Sequence, residues 1–430
     1  MKKDRKEKGN VPNLRFPQFT GDWEKKKLKE LLEFKVTNSF SRENLNYEVG
    51  TVKNIHYGDI HTKFQTLFDI TKEVVPFINK DLNLGRISDE NYCKAGDIIF
   101  ADASENLDDV GKSIEIINVN GEKLLSGLHT LLARPKVNIF QLGFNGYLFK
   151  SNLVRTQIQK ESQGSKVLSI NVGRISKVEL SFPSLLEQEK ITAFLTLIDK
   201  RIETQNKIIE KLESLIKGLE NLLFCDRKSK PALRFPEYLE SWRKSALKEF
   251  TSRVTRKNKD NETQRALTIA AQYGLVDQMS FFNKQVASND MSNYYFLYNG
   301  EFAYNKSYSK DYPWGAVKRL DLHEKGALST LYICFKPENN VSSDYLAHYF
   351  ESNKWHQAIS EIAGEGARNH GLLNISIDAY FNTMHYIPSY EEQNKIASFL
   401  NLLCMRLENE KSTLYTFEKQ KLYFFKQMFI

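Results

Sequence analysis

Cysteine, long apolar runs and targeting signals are scarce in this sequence, and each scarcity excludes a class of protein. The four cysteines, Cys93, Cys225, Cys334 and Cys404, lie far apart with no Cys-x-x-Cys pair. Neither a disulfide framework nor a zinc ribbon is therefore indicated. No stretch approaches the roughly eighteen apolar residues of a membrane span, and the charged start of the chain is not followed by the apolar core of a signal peptide. We expect a soluble protein of the reducing cytoplasm with no membrane partner.

The signatures of common catalytic sites are also missing. The sequence has no Walker A loop, no Gly-x-Gly-x-x-Gly, no His-Glu-x-x-His and no Asn-Pro-Pro-Tyr-like methyltransferase motif. Its eight histidines form no metal-spaced cluster with cysteine, and we interpret His56 and His61 as loop residues rather than ligands. We therefore expect no catalytic residue, no bound cofactor and no metal ligand in this chain. Several such absences together favour a binding protein over an enzyme.

Positive charge is present but thinly spread. The formal net charge is +8, of which residues 1–11 carry +3, residues 12–183 carry +2 and residues 232–387 carry +1. The two large blocks are thus almost neutral, and charge alone does not indicate a nucleic-acid binder. A chain of 430 residues fits two or three domains.

One segment occurs twice at an offset of 205 residues. Pro183 begins PSLLEQEKITAFL and Pro388 begins PSYEEQNKIASFL, a density of matches that indicates an internal repeat. Each copy continues with a heptad pattern typical of a coiled coil over more than four heptads. Gln205 and Glu410 are polar residues of this pattern; they either fix the register or are tolerated defects near water. The predicted seam comprises Ile191, Leu195, Ile198, Ile202, Gln205, Ile209 and Leu212 in the first copy, and Ile396, Leu400, Leu403, Leu407, Glu410, Leu414 and Phe417 in the second.

A second segment is repeated in the same order. Residues 12–17 read PNLRFP and residues 231–236 read PALRFP, each followed by a tryptophan, Trp23 and Trp242. The whole half is therefore duplicated, and we interpret the Arg-Phe-Pro and Trp positions as structural anchors. The predicted organisation is a disordered basic tail over 1–11, a globular domain over 12–182, a helix over 183–224, a linker over 225–231, a second globular domain over 232–387 and a second helix over 388–430.

The short linker predicts the direction of the helices. If each domain has its entry and exit close together, as termini often do, the second helix must run back along the first. The expected fold is mixed α/β: two globular α+β domains separated by two long helices that form an antiparallel coiled coil, with pseudo-two-fold internal symmetry.

The interiors of the two blocks align weakly, yet local patterns predict their elements. Residues 113–119 and 328–335 are predicted strands, and residues 345–361 a helix capped by Ser343, with a weaker counterpart over 144–159. Polar, Gly-containing closing loops over 161–167 and 364–372 precede predicted strands over 168–170 and 373–375. Each Gly-Asp or Gly-Glu pair, at Gly96 and Gly300, is a predicted turn into a core strand. The spacings Ser184 to Glu187 and Ser389 to Glu392 predict capping boxes at the helix starts.

This arrangement resembles the specificity subunit of type I restriction-modification systems over residues 12–430. The match is carried by the two Leu-Arg-Phe-Pro openings with their tryptophans and by the two Pro-Ser-x-x-Glu-Gln-x-Lys-Ile helix starts. The resemblance implies a non-catalytic subunit for host defence against foreign DNA, in which each globular block is a target recognition domain for one half of a bipartite double-stranded DNA site. It also implies that the helices fix the spacer and dock two modification subunits, and that restriction subunits join the full complex. S-adenosylmethionine, ATP and magnesium are then expected in the partner subunits.

Candidate DNA-binding residues are the amide, hydroxyl and cationic side chains of three loop regions in each block, because such groups read base edges and hold phosphates. The acidic residues Asp102, Glu105, Asp108 and Asp109 argue against phosphate binding by one of these loops. The candidates are Lys35, Asn38, Ser39, Arg42, Gln163, Ser165 and Lys166 in the first block, and Arg253, Arg256, Lys257, Lys259, Asn305, Lys306, Tyr308, Lys310, Arg368, Asn369 and His370 in the second.

Other interpretations remain open at this stage. The chain could be a coiled-coil adaptor whose globular ends bind proteins, an enzyme with an unrecognised site, or the specificity subunit of a methylation-only complex. Duplicated blocks with divergent interiors favour two different targets over the adaptor. The DNA sequence that is read, and the spacer length, are not encoded in any residue pattern of this kind.

Overall fold

The computed structural model describes residues 10–136, 138–284, 287, 290–363 and 371–430. The chain divides into two compact units. Unit 1 comprises Met1–Gln205 with Thr413–Ile430, and unit 2 comprises Asn206–Ser412. The final segment of the chain thus belongs to the same unit as its beginning. Residues 185–205 of the first long helix belong to unit 1 and residues 206–223 to unit 2, and the second long helix is likewise divided.

Unit 1 is a mixed α/β structure built on two sheets. The five-stranded sheet has the order β2-β11-β7-β9-β5, the four-stranded sheet has the order β10-β4-β6-β3, and two further strand pairs are β1-β13 and β12-β8. The strands are β1 (Glu24–Lys27), β2 (Leu32–Lys35), β3 (Leu45–Asn46), β4 (Val52–Ile55), β5 (Leu67–Asp69), β6 (Phe77–Ile78), β7 (Ile98–Ala101), β8 (Ala103–Ser104), β9 (Ser113–Asn118), β10 (Lys123–Ser126), β11 (Thr130–Pro135), β12 (Leu168–Ser169) and β13 (Glu179–Phe182); the helices that begin in unit 1 are α1 (Leu28–Leu31), α2 (Tyr57–Thr62), α3 (Phe144–Leu148), α4 (Asn152–Glu161), α5 (Val172–Ile175) and the long α6 (Leu185–Leu223).

Unit 2 repeats this plan. Its sheets have the orders β15-β22-β19-β20 and β17-β16-β21-β18, and β14 pairs with β23. The strands are β14 (Arg243–Ala246), β15 (Thr251–Arg253), β16 (Ala266–Ala270), β17 (Gly274–Asp277), β18 (Tyr295–Tyr298), β19 (Phe302–Asn305), β20 (Ala316–Arg319), β21 (Lys325–Leu328), β22 (Ile333–Pro337) and β23 (Met384–Ile387); the helices that begin in unit 2 are α7 (Gln278–Phe282), α8 (Ser343–Glu351), α9 (His356–Ser360), α10 (Ile377–Phe381) and the long α11 (Tyr390–Met428).

The repeat extends into blocks whose sequences barely align. The order β2-β11-β7-β9 of unit 1 corresponds to β15-β22-β19-β20 of unit 2. The parallel pairing of β10 with β4 likewise corresponds to the parallel pairing of β21 with β16. The expected mixed α/β class with an internal repeat is therefore confirmed.

The two long helices run antiparallel within each unit. In unit 1, the Phe194 and Phe424 ring centroids are 4.9 Å apart and Asp199 lies 2.5 Å from Lys421, so rising numbers in α6 meet falling numbers in α11. In unit 2, Glu213 of α6 contacts Lys411 of α11 at 3.1 Å. Among the predicted seam residues, both polar ones are buried, as are Ile191, Leu195, Ile209, Ile396 and Leu400.

The repeated openings pack on the starts of the long helices. Trp23 and Trp242 are each 3% exposed, which confirms their role as anchors. Phe16 makes an edge-to-face contact with Phe194, and Phe235 makes the equivalent contact with Phe399. These aromatic contacts pin each opening segment to a helix, because an aromatic ring buries a large apolar area.

The capping box predicted at Ser389 is half right, whereas at Ser184 the Glu187 amide donates to the Ser184 backbone carbonyl at 3.0 Å. The hydroxyl of Ser389 accepts from the amide of Glu392 at 3.4 Å, as a cap requires. The carboxylate of Glu392 forms an ion pair with Arg234, and that of Glu187 forms one with Arg15, both at 2.7 Å. In a capping box each glutamate carboxylate would accept from the backbone amide of the capping serine. Here each carboxylate instead binds a guanidinium from the opening segment, which is the stronger partner.

The Gly-Asp and Gly-Glu pairs are turns into core strands, as predicted. Gly96 and Gly300 adopt φ values of +89° and +84°, a region that favours glycine. Asp97 accepts from the amide of Lys94 at 2.7 Å, and Glu301 accepts from the amide of Tyr298 at 2.9 Å. Each carboxylate therefore closes its own turn.

Several local predictions are wrong. The helix predicted over 345–361 is two helices, α8 and α9, because the Ser352 hydroxyl donates to the Tyr349 carbonyl and accepts from the Lys354 amide. Its cap is Ser342 rather than Ser343. The counterpart over 144–159 is likewise divided into α3 and α4. The strand predicted over 328–335 is the end of β21, a turn and the start of β22, and the strand predicted over 373–375 is absent, since only Leu372 forms an isolated bridge.

Within the described residues, no helix is both long enough and apolar enough to cross a membrane.

Candidate nucleic-acid interface

The closing loop of unit 1 lies against the loop that follows the Gly-Asp strand. β12 pairs antiparallel with β8, and Gln163 forms a bridge with Ser169. The amide of Ile170 donates to the carbonyl of Asp102 at 2.8 Å. Two regions that the sequence presents about 60 residues apart thus form one continuous surface, which we call loop surface 1: residues 102–109, 127–129 and 163–169 with helix α2.

Unit 2 contains the same junction. Ser307 forms a bridge with Leu372, the amide of Leu373 donates to the Lys306 carbonyl at 2.9 Å, and the amide of Tyr308 donates to Gly371 at 3.1 Å. We call this loop surface 2: residues 305–315 with 371–373. The structure therefore brings the second and third candidate regions together in each unit. Arg368, Asn369 and His370, the closing-loop candidates, lie outside the described residues.

The first candidate region of unit 1 is partly occupied by internal partners. Lys35 contacts Glu33 at 2.8 Å and Glu90 at 3.2 Å. Asn38 donates to Asn54 at 2.7 Å, and Arg42 pairs with the buried Asp59 at 2.7 Å. These contacts hold the chain after β2 against loop surface 1, since the Thr37 hydroxyl also donates to the Thr130 carbonyl at 3.3 Å.

In unit 2 the cationic cluster lies beside a row of tyrosines. The Arg256 guanidinium lies 4.6 Å from the Tyr298 ring centroid and pairs with Glu301, while Lys257 lies 4.4 Å from the Tyr295 ring centroid. Arg253 donates to the Tyr295 hydroxyl at 3.2 Å. Glu301 precedes β19 and Asn305 ends it, so this cluster and loop surface 2 lie at opposite ends of that strand.

The candidate DNA-binding residues also differ in how exposed they are to solvent. Asn305, Lys306 and Tyr308 are half-buried at the base of loop surface 2. The candidates that combine exposure with a place on a loop are Ser39, Gln163, Ser165, Lys166, Arg256 and Lys310. Arg42 and Lys259 are exposed in short 3-10 helices, and Arg253 is exposed at the end of β15.

Loop surface 1 contains a cluster of three histidine rings around Tyr57 that the sequence patterns did not predict. The Tyr57 ring centroid lies 4.6 Å from that of His56, 5.9 Å from that of His61 and 5.3 Å from that of His129. His129 adopts a φ of +55°, a strained region for a residue with a side chain, and its Nδ1 lies 3.3 Å from Asp102. The four rings come from two distant segments, so only the turn residues around His129 could have signalled the cluster.

The interpretation of His56 and His61 as loop residues is right for His56, which lies between β4 and α2, and wrong for His61. His56 caps helix α2 by accepting from the Gly58 amide at 3.2 Å, and His61 lies in the helix with Nε2 3.1 Å from the Ala103 carbonyl. Burial, with a smaller contribution from Arg42, lowers the pKa of His56, and burial raises the pKa of Asp102. In the part of the chain that the structure describes, no group of three or more histidine, cysteine or acidic residues is arranged to hold a metal ion.

Comparison with known proteins gives three findings. Residues 20–214 match the family model described as the type I restriction modification DNA specificity domain. A Methanocaldococcus jannaschii protein, the MjaX type I restriction enzyme specificity subunit, is 28% identical over 244 residues, which is 54% of this chain and 53% of that protein. The chain thus matches about half the length of this relative.

Two solved structures have the same fold along nearly the whole chain. The S subunit of a type I restriction-modification system from M. genitalium has a TM-score of 0.53 at 15% identity and covers 98% of this chain and 99% of its own. A chain from a structure on complex assembly and conformational transition of the type I R-M system has a TM-score of 0.57 at 12% identity and covers 94% and 97%. These likenesses show the fold. The family model covers the first globular block and most of the first long helix, and the solved structures extend the likeness of fold to the rest of the chain.

Proposed function

We propose that this chain is the DNA-specificity subunit of a type I restriction-modification complex and that each unit reads one half of a bipartite target. The observation that supports this most is the pair of loop surfaces. They occupy the same place in two copies of one fold but carry different side chains. Loop surface 1 presents Tyr57, His129 and Gln163, whereas loop surface 2 presents Asn305, Lys306 and Lys310. Equal scaffolds with unequal donors and acceptors suit the recognition of two different sequences.

Base reading by these surfaces follows from their chemistry. Amide, imidazole, hydroxyl and ammonium groups on loops can reach base edges in the major groove, while the sheets beneath hold the loops in place. Helix α6 and helix α11 contain 39 residues each, about 58 Å at 1.5 Å per residue. We propose that the helices set the length of the unspecified spacer, so that the spacer is fixed in length and free in sequence.

The chemistry of modification and cleavage lies in partner subunits under this proposal. Two modification subunits use S-adenosylmethionine, and restriction subunits use ATP and magnesium. This chain supplies double-stranded DNA recognition and no catalytic group. A complex without restriction subunits, which only methylates, needs the same specificity subunit.

The decisive experiment is methylome sequencing of cells that express this chain with the modification subunit encoded beside it, compared with cells that lack only this chain. We expect a split adenine-methylated motif with a fixed spacer only when the chain is present. Replacing residues 232–387 by the corresponding block of another specificity subunit should change one half of the motif and leave the other. Unchanged methylation, or a continuous motif, would refute the proposal and favour a protein-binding adaptor.

A further inference from the structure

His129 is a strained residue in the turn between β10 and β11, within loop surface 1. Its φ is +55°, a region that a residue with a side chain adopts only at a cost in energy. The turn is fixed by its neighbours, because the Gly127 amide donates to the Ile55 carbonyl at 2.9 Å and the Thr130 hydroxyl donates to the Gly127 carbonyl. Such strain persists only where the surroundings determine it, and it concentrates at functional sites.

Two neighbours set the orientation of the His129 ring. Its Nδ1 lies 3.3 Å from a carboxylate oxygen of Asp102, and the Tyr57 ring meets it edge to face with the centroids 5.3 Å apart. The Asp102 amide also donates to the His129 carbonyl at 3.0 Å, so one residue holds both the backbone and the side chain of His129. The ring is therefore positioned before any ligand arrives, which lowers the entropic cost of binding.

The second ring nitrogen of His129, Nε2, has no hydrogen-bond partner among the described residues, and the side chain is 50% exposed. Burial raises the pKa of Asp102 from 3.8, and the contact with His129 opposes that rise. With the carboxylate ionised at neutral pH, Asp102 can only accept a hydrogen bond, so Nδ1 carries the hydrogen. In a neutral imidazole Nε2 is then an acceptor that is open to a ligand.

The equivalent position of unit 2 carries a different exposed side chain. Leu131 of β11 pairs with β7 at the position where Ile333 of β22 pairs with β19, which aligns His129 with Leu331. Leu331 is 78% exposed. The two units thus place an imidazole and an apolar group at one register position. This difference suits two targets, because an apolar group contacts the thymine methyl, whereas an acceptor binds an amino group.

We infer that His129 is a specificity-determining residue of unit 1, whose Nε2 accepts a hydrogen bond from the exocyclic amino group of adenine or cytosine in the major groove. Asp102 is a positioning residue that fixes the tautomer of the imidazole. The inference rests on the proposed function and names the chemistry that loop surface 1 recognises at one base pair. In the major groove adenine and cytosine present an amino donor, whereas guanine and thymine present no donor. One position of the half-site therefore admits adenine or cytosine on the strand that His129 contacts.

The test is methylome sequencing of cells that express the full chain with the modification subunit encoded beside it. Replacing residues 232–387 identifies the half of the motif that belongs to unit 1, which is the half that stays unchanged. His129→Gly removes the imidazole and relieves the positive φ, so one adenine or cytosine position of that half should become unspecified while the others stay. Leu331→Ala is the matched control and should leave this half unchanged.

A second variant tests the role of Asp102. In Asp102→Asn the amide can either accept from Nδ1 or donate to it, so the tautomer is no longer fixed and Nε2 can also donate. Sites with guanine or thymine at the same position should then be methylated as well. A residue that only supported the fold would lower the unfolding temperature without changing which base is accepted, so thermal unfolding of both variants is measured alongside.

Affinities of the purified chain assembled with its modification subunits give the magnitude. His129→Gly should bind a duplex with the wild-type motif roughly tenfold more weakly and a scrambled duplex with unchanged affinity. An equal loss on both duplexes would contradict a base contact.

The outcomes separate the inference from the proposed function. If the half of the motif that belongs to unit 1 is unchanged in both His129→Gly and Asp102→Asn, the inference fails and the proposed function stands. If only His129→Gly relaxes the position, Asp102 does not set the tautomer and its assignment is overturned. If His129→Gly does not fold, the result for Asp102→Asn decides, because that variant keeps the ring. If the wild type gives no split motif, the proposed function itself fails.

Discussion

Arg15 and Glu187 are 172 residues apart in the chain, yet the guanidinium makes two hydrogen bonds of 2.7 Å to the carboxylate. Glu187 is 1% exposed, and the same pair recurs as Arg234 with Glu392. The hydrogen bond with Glu187 raises the pKa of Arg15. Each opening segment is thus tied by a bidentate ion pair to the first turns of a long helix.

Removing one partner of this pair should destabilise unit 1. Arg15→Met leaves a buried carboxylate without its counter-charge, and we expect a loss of about 3 kcal/mol in the free energy of unfolding. Replacing both residues by methionine should recover most of that loss. Urea unfolding measures both. Arg243→Met is the control, because Arg243 is 80% exposed and pairs with Glu249 at the surface; its change should stay within about 0.5 kcal/mol. Equal effects of the two single substitutions would contradict this account.

Much of the scaffold could be predicted from the sequence, because the repeat and the heptads are periodic and the short linker restricts the direction of the helices. The sheets could not be predicted, since β2 pairs with β11 across about a hundred residues and no local pattern encodes that choice. The same limit applies to the site. Arg256 is a plausible phosphate ligand in the sequence, but its partner Glu301 is 45 residues away.

Glu115 should make the stability of unit 1 depend on pH. Its carboxylate accepts from the amides of Gly143 and Gly146 at 2.8 and 2.7 Å, and burial raises its pKa to about 7. Between the unfolded pKa of about 4.5 and the folded value, the folded state binds the extra proton, so this group's contribution to stability falls as pH rises. From about pH 4.5 to about pH 8, wild type should lose about 3 kcal/mol relative to Glu115→Gln. A constant difference between the two proteins in urea unfolding at these pH values would exclude this role.

Gly315 should tolerate no side chain. Its φ is +77°, and an added Cβ would lie 2.1 Å from the carbonyl oxygen of Asn305 in loop surface 2. Gly274 has a similar φ of +89°, and an added Cβ would meet nothing within 4 Å. Substitution at Gly274 therefore measures only the cost of a positive φ for a residue with a side chain. We expect Gly274→Ala to cost about 1 to 2 kcal/mol and Gly315→Ala clearly more, because Asn305 must move. Thermal unfolding compares them, and under the proposed function the shift of Asn305 should also change the half of the DNA motif assigned to unit 2. The same loss of stability in both variants would show that Asn305 adapts freely.

Arg256 and Lys310 should separate folding from DNA recognition. Arg256→Ala removes the partner of Glu301, which is 7% exposed, and should destabilise unit 2 by about 2 kcal/mol. Lys310 is exposed on loop surface 2, so Lys310→Ala should leave unfolding unchanged and weaken DNA binding by the assembled complex roughly threefold to tenfold. Urea unfolding and DNA affinity measured side by side distinguish the two. A Lys310→Ala protein with wild-type affinity would remove this residue from the interface.

Each globular block begins and ends in one short pair of antiparallel strands. Glu24 faces Phe182 in the first block, and Arg243 faces Ile387 in the second. The two ends of more than 140 residues are therefore about 4.8 Å apart, the spacing of neighbouring strands. The residues between the two strands only have to bring the chain back to this strand pair. We therefore expect such a block to be exchangeable: a gene segment cut at these two strands should enter another chain of this fold without altering the helices that receive it.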